Sequence, residues 1–372
     1  MKNLRVLLLA FIILSCSSAD NNDESVNSDI TDKVTTTVTN SEEVEEVSDT
    51  TTTSIAELYV FDEEKMSPFT GLELPPELWL KRPRRILAFK IDNNLNARPQ
   101  SGLEDADSVH EILVEGGMTR FLAFFYDKTS DYLGPIRSAR PTDPTLVRPY
   151  GGILVVSGAT PGLVPQIREL GVAVLEEQPA PAMFRITSRS APHNLYGDTE
   201  LIRELVDEKG FPFNPPPGPL YSFGKNQNNW NSGSNRVTIE YSDFTTIIWK
   251  LDGTKYSRFI IDGYSSLKEA VAHNIITRDE TTQILQTETI VVIQGPIYID
   301  EATTLPSVLT VGVGPVYIFN NGNYIEGTWR RNDISDPFEF YDEEQNAIYV
   351  PPSRQWLHIL PLDNGKIDWS SS

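Results

Sequence analysis

Two glutamates and two arginines set the first question. Glu111 and Glu115, in "HEILVE", stand four residues apart; Arg137 and Arg140, in "GPIRSAR", stand three apart with Ser138 between them. On a helix, positions i and i+4 share a face with Cβ atoms about 6 Å apart; on a strand they share one at about 13 Å. A carboxylate pair about 5–9.5 Å apart performs acid–base hydrolysis of glycosides. The same carboxylates can instead receive arginines, Arg120 among them. Arg137 and Arg140 pose the matching question, because bidentate planar geometry suits a bound carboxylate or phosphate as well as an internal ion pair. His193, in "APHNLYGD", sits between a proline and Asn194 and can act as a general base or as a donor to an anion.

The arginines are not a general surface preference. Between Arg82 and Val206 there are 12 Arg and 2 Lys against 15 acidic residues, whereas after Val206 Arg and Lys are equal at 6 each. That choice fits either an anion-binding cleft, with Arg98 and Arg120 assisting Arg137 and Arg140, or bracing by Arg–carboxylate pairs. Metal and cofactor motifs are not found. There is no His-x-x-x-His, His-Glu-x-x-His, EF-hand loop, P-loop or Gly-x-Ser-x-Gly elbow. No cofactor and no metal are expected. The formal charge of -21 argues against a nucleic-acid partner.

The elements that must position these residues read as two stretches. From 67 to 210 strands alternate with helices: "RILAFKID", "TRFLAFFYD" and "GILVVSGA" are strands, "PGLVPQIRELG" and "DTELIRELVDEKG" helices stopped by Gly171 and Gly210. Ser101 with Glu104 three residues on has the form of a capping box. A Pro/Gly/Asn stretch, 211–235, reads as a linker. From 236 to 369 nearly everything is strand, and "NNG" between two strands marks a hairpin. The fold class is α+β, a mixed α/β domain followed by a β-rich antiparallel one. Trp249, Trp329, Trp356 and Trp369 in the second stretch, with Trp230 just before it, can stack on sugars or pack a small β core.

The N-terminus gives an address. "MKNLR" is a short basic region, and "VLLLAFIIL" is nine apolar residues, the length of a signal-peptide core and too short for a membrane span of about 20. "ILSC" has the form of a bacterial lipobox, so 1–15 reads as a lipoprotein signal and Cys16, the single cysteine, as the lipidated residue. Two or three acyl chains anchor stably where one does not. The stretch 16–66 reads as a tether. Residues 17–55 hold 16 Ser or Thr and 10 acidic residues against one lysine and no aromatic, too little apolar surface to fold.

The ordered set Arg98-Pro99-Gln100-Ser101-Gly102, Glu115-Gly116, Thr119-Arg120, Gly134-Pro135, Arg137-Ser138-Ala139-Arg140 and Pro192-His193-Asn194, with "GTWRR" and "PPSRQWLHILP" later, resembles the YerB-like lipoproteins. The resemblance spans the folded part and departs at Ser157 and Ser353, where relatives often carry histidine and glycine. It implies an exported bacterial protein with two adjoining domains of unknown function, held at the cell membrane on the extracytoplasmic side. It implies no established reaction. The residues themselves point first to binding of an anionic wall or envelope ligand by Arg98, Arg120, Arg137, Ser138, Arg140, His193 and Asn194. The alternatives are a wall hydrolase using Glu111 or Glu115, with His193 nearby, and a scaffold for envelope proteins using the β-rich part.

Overall fold

The computed structural model describes residues 59–214, 218–224, 229–263 and 269–372. The signal peptide, Cys16 and the tether up to residue 58 lie outside the described residues. Residues 59–66, counted with the tether in the sequence, pack on the body: Tyr59 Oη donates to Gly71 O, and Met66 bridges Glu73. The described residues from Tyr59 on belong to one compact unit.

The unbroken apolar runs of the first stretch become strands buried along their whole length. These are β1 (Leu87–Ile91), β2 (Ser108–Leu113) and β3 (Thr119–Phe125), followed by the short β4 (Ile153–Val155) and β5 (Ala173–Leu175). Such runs suit strands covered on both faces. Ser101 caps no helix. It pairs with Gly134 as an isolated bridge, and the apolar run beyond it is β2. What fixes the approach to β2 is Asp107, whose Oδ2 accepts the backbone N–H groups of Tyr126, Asp127 and Lys128 at the far end of β3.

Helices cover both faces. The short α1 (Pro76–Trp79) precedes the sheet. Leu146 and Val147 of α2 (Asp143–Val147), with Leu163 and Ile167 of α3 (Leu163–Glu169), enter one core. Ile202 and Val206 of α4 (Thr199–Glu208) enter the other. Asp198 caps α4 by accepting from the N–H groups of Glu200 and Leu201, where the sequence leaves the cap open between Asp198 and Thr199.

The two stretches share one eleven-stranded sheet. From one edge it runs Glu339–Tyr341, Asn323–Arg331, Gly312–Asn320, Thr289–Gly295, Gln355–Pro361, β2, β3, β1, β4, β5. The junction is parallel, with Val109 opposite Trp356 and Glu111 opposite His358. Residues 211–235, expected to link two domains, are packed where described. Leu220 and Tyr221 are buried, and Asn231–Ser232 pairs with Asn323 and Tyr324. A second, six-stranded sheet built around Thr245–Asp252 and Lys255–Asp262 packs its apolar face on the first. The β-rich part is largely antiparallel, with the "NNG" hairpin at Asn320–Asn323, where Asn321 and Gly322 both have positive φ. Trp249, Trp329 and Trp356 are core residues with no open face, while Trp230 and Trp369 are half-buried.

Candidate functional site

β1, β2, β4 and β5 run in one direction, and β3 runs against them. Their carboxyl ends, with the amino end of β3, therefore meet at one edge, the place where open α/β sheets bind ligands. Asp92 follows β1, Glu115 follows β2, Ser157 follows β4, and Arg120 opens β3. The segment "GPIRSAR" crosses this edge as extended chain. Ile136 bridges Ile91, Asp92 N–H donates to Pro135 O, and Arg137 N–H donates to Lys90 O. Gly134 is required for close approach, since a Cβ there would sit 2.8 Å from Leu195 O and from the Tyr196 ring.

The edge brings together Asp92, Arg137 and His193. Asp92 Oδ2 lies 2.6 Å from His193 Nδ1 and 3.2 Å from Arg137 Nε. The Nδ1 contact turns the Nε2 side of the imidazole outward, and the His193 side chain is 16% exposed. Ser138 Oγ faces Ser157 Oγ at 3.5 Å. Asn194 does not reach a ligand position. Its amide donates to Ile186 O and Arg189 O and accepts from Arg185 Nη1, which holds the loop that presents His193.

The arginines divide. Arg140 forms a two-pronged pair with Glu115 and donates to Ala139 O. Arg120 donates to Ser138 O at 2.9 Å and to Glu115 at 3.4 Å. Arg98 pairs with Asp262 at 2.6 Å and with Asn93 O. These three act as braces. Arg137, 22% exposed, has its Nε near Asp92 but forms no hydrogen bond there, and its terminal nitrogens have no hydrogen-bond partner among the described residues.

Glu111 and Glu115 do not point together. Thr119 bonds Glu111 and its neighbour Arg120 bonds Glu115, and consecutive strand residues face opposite sides of a sheet. Glu115 sits on the turn Glu115–Gly117, beyond the strand whose periodicity related it to Glu111. Burial works to raise the Glu115 pKa, but Arg140 and Arg120 overcome it and hold the carboxyl down to about 2. It is unsuited to donate a proton.

Glu111 lies in the core, between the two stretches of chain. Its Oε1 accepts from Thr119 Oγ1 at 2.7 Å and Arg258 Nη2 at 2.6 Å, and its Oε2 accepts from Trp356 Nε1 at 3.0 Å. Burial raises its pKa, yet Arg258, His358 and Thr119 outweigh burial and leave it lowered. Trp249 Nε1 donates to His358 Nε2, so the His358 proton is on Nδ1, facing Tyr241 Oη at 3.0 Å. Tyr241 Oη donates onward to Glu111 O. On the other side Arg258 reaches His273, whose Nε2 bonds Gln100 Oε1, and Gln100 Nε2 donates to Asp92 O. One buried polar chain thus runs from the core to the backbone of the edge site.

From the sequence, Asp92 figures only among four acids, with Asp107, Glu111 and Glu115, that could gather round a hard cation, and Ser157 only as a departure from the family pattern. Asp92 had one signal, a lone acid at the end of the strand "RILAFKID"; its two partners come from segments far along the chain. Among the described residues no group of three or more His, Cys, Asp or Glu is placed to hold a metal ion.

Fold and site together define an α+β protein with a polar cluster at the carboxyl edge of a mixed sheet and a charged core joining its two halves. Residues 69–212 match the N-terminal domain, and 237–357 the C-terminal domain, of the family described as Protein of unknown function (DUF3048). The chain belongs to this family. It is 27% identical over 308 residues to the Bacillus subtilis (strain 168) protein named "Putative lipoprotein YerB", covering 81% of this chain and 88% of that one. The crystal structure of the YerB protein from Bacillus subtilis superposes with a TM-score of 0.67 at 25% identity, covering 82% of this chain and 99% of that one.

Proposed function

We propose that this chain is a lipid-anchored, extracytoplasmic envelope protein whose folded body binds an anionic wall or envelope ligand at the Arg137–His193 edge. The observation that carries the binding site is the free end of Arg137. The other three candidate arginines are spent on internal partners, while Arg137 is held by its Nε side beside Asp92 and leaves its two terminal nitrogens without a partner among the described residues. Charge-assisted hydrogen bonds of this kind contribute about 1.5–3 kcal/mol each. Arg137→Ala should therefore weaken co-sedimentation with purified cell-wall sacculi about tenfold or more while leaving the thermal midpoint in place. Arg140→Ala should do the reverse, lowering the midpoint through the loss of Glu115's partner. If Arg137→Ala unfolds the protein, the arginine is a brace; if the unaltered protein does not sediment with sacculi, the ligand is not in the wall.

The anchor rests on the lipobox at Cys16 and on the name of the Bacillus relative. Cys16→Ala should move the protein from the membrane fraction to the soluble one. External protease should digest the wild-type body in intact spheroplasts, and protection there would place it on the other side. A hydrolase reading now has its support in the Asp92–His193 pair and no longer in Glu111 and Glu115. Release of soluble fragments from sacculi, lost in His193→Ala, would favour it over binding alone. The scaffold reading needs a β-rich part that stands by itself, but its central strand Gln355–Pro361 pairs on one side with β2.

A further inference from the structure

A second site lies where the described chain begins. Phe61, Trp79 and Tyr126 wall a cavity of about 480 Å³ that Glu63, Glu64 and Arg82 also line. The Phe61 and Trp79 rings meet no other ring, and the Glu63 and Glu64 carboxylates have no ion-pair partner, among the described residues. The one cation in the wall is spent. Arg82 donates from Nε and Nη2 to Asp127 Oδ1 at 3.0 and 2.7 Å, and from Nη1 to Glu63 O at 3.0 Å. Its guanidinium lies over the Tyr126 ring, 5.0 Å from the centroid. Asp127 neutralises that charge, so the cavity keeps the two carboxylates and the unstacked aromatic faces.

This chemistry is the opposite of the Arg137 edge. Aromatic faces attract cations, and they do so most strongly when the cation carries alkyl groups that also leave water. Exposed carboxylates at the rim add attraction and repel anions. A neutral sugar would gain the stacking but nothing from the two charges. The geometry points to a small alkylammonium, quaternary or primary, as the ligand of this cavity, with Trp79 and Phe61 against its alkyl groups and Glu63 and Glu64 facing its charge.

Choline and 3,3-dimethylbutan-1-ol, which share a shape and differ in charge, make the test by calorimetric titration of the full chain. Choline should bind saturably and about tenfold tighter than the alcohol. Trp79→Ala should remove saturable binding. The double change Glu63→Gln with Glu64→Gln should weaken choline about tenfold and leave the alcohol unchanged. These side chains are half-buried or exposed, so the thermal midpoint should stay in place and separate a lost site from a lost fold. Equal binding of choline and the alcohol would reduce the site to an apolar hollow and overturn the proposal. No saturable choline binding, or binding that survives Trp79→Ala, would overturn it too.

Discussion

A Glu111→Ala chain should lose about 3–5 kcal/mol of stability, enough to unfold a typical domain held by about 5–15 kcal/mol. The reason is the company Glu111 keeps. Arg258 is fully buried, and without Glu111 its charge has no carboxylate partner in the core. Trp356 Nε1 and Thr119 Oγ1 lose an acceptor at the same time. Since these partners come from both family segments, the damage falls on the joint between them. Urea unfolding followed by tryptophan fluorescence reads the effect directly, because Trp249 and Trp356 flank the network. Glu111→Gln keeps the shape but not the charge and should fall in between. Replacing the pair together, Glu111→Leu with Arg258→Met, should recover much of the loss, since an apolar pair of similar volume removes two desolvated charges at once. A Glu111→Ala protein that unfolds at the wild-type urea concentration would sink the idea that this carboxylate holds the halves together. The same experiment bears on catalysis, since activity lost in a Glu111 variant means little if the fold is lost with it.

The second large effect is acid sensitivity. His110, His273 and His358 are all buried and held uncharged: burial, with Arg331 adding for His110, pushes His110 down to about 3; burial and the nearby arginines push His273 well below its usual value; and burial carries His358 to about 3 despite the opposing pull of Glu111. The folded pKa values are depressed below about 6.5, so between about pH 6.5 and 3 the unfolded chain takes up three protons that the folded one refuses. The histidines' contribution is therefore complete above about pH 6.5 and falls as pH drops, by about 1.4 kcal/mol per pH unit for each histidine while its folded form stays neutral. Asp107 works the other way. Burial and Asp127 raise it to about 6, so the folded state takes one proton early and offsets one histidine down to about pH 4. Glu104 and Asp105, raised by burial, act with Asp107, while Glu111 and Glu115, held down by their arginines, act with the histidines at the acid end. Urea midpoints at pH 7, 6, 5 and 4.5 should fall steeply in that order, and a flat series contradicts the buried-neutral assignment. His110 isolates one contribution, because neither ring nitrogen has a hydrogen-bond partner among the described residues. His110→Leu should cost little at pH 7 and make the slope shallower by about 1.4 kcal/mol per unit.

Both results depend on contacts that no local pattern reports. The strands β1, β3 and Gln355–Pro361, the helix α4 with its Asp198 cap, and the "NNG" hairpin follow from periodicity, capping and turn chemistry, which act over a few residues. The preference for arginine in the first stretch was also legible, as was its meaning in part: a need for planar, bidentate partners. Which arginine does what was not. Arg140 and Arg137 carry the same side chain three residues apart. One is closed by Glu115, 25 residues away, and the other is left open beside Asp92 and a histidine 101 residues from that aspartate. The Glu111–Glu115 pair failed for a physical reason as well: the i, i+4 rule holds only within one element, and β2 ends before Glu115.

The sequence by itself determined the α+β class, most of the strands and the family, because these are written in local composition and order. Only the tertiary structure decided that the two family segments share one sheet, that Glu111 belongs to the core, and that "GPIRSAR" holds a brace and an open arginine side by side. The deciding contacts span from 25 to 245 residues of chain. At such distances a residue's role depends on which partner the fold delivers, and side-chain type alone leaves that open.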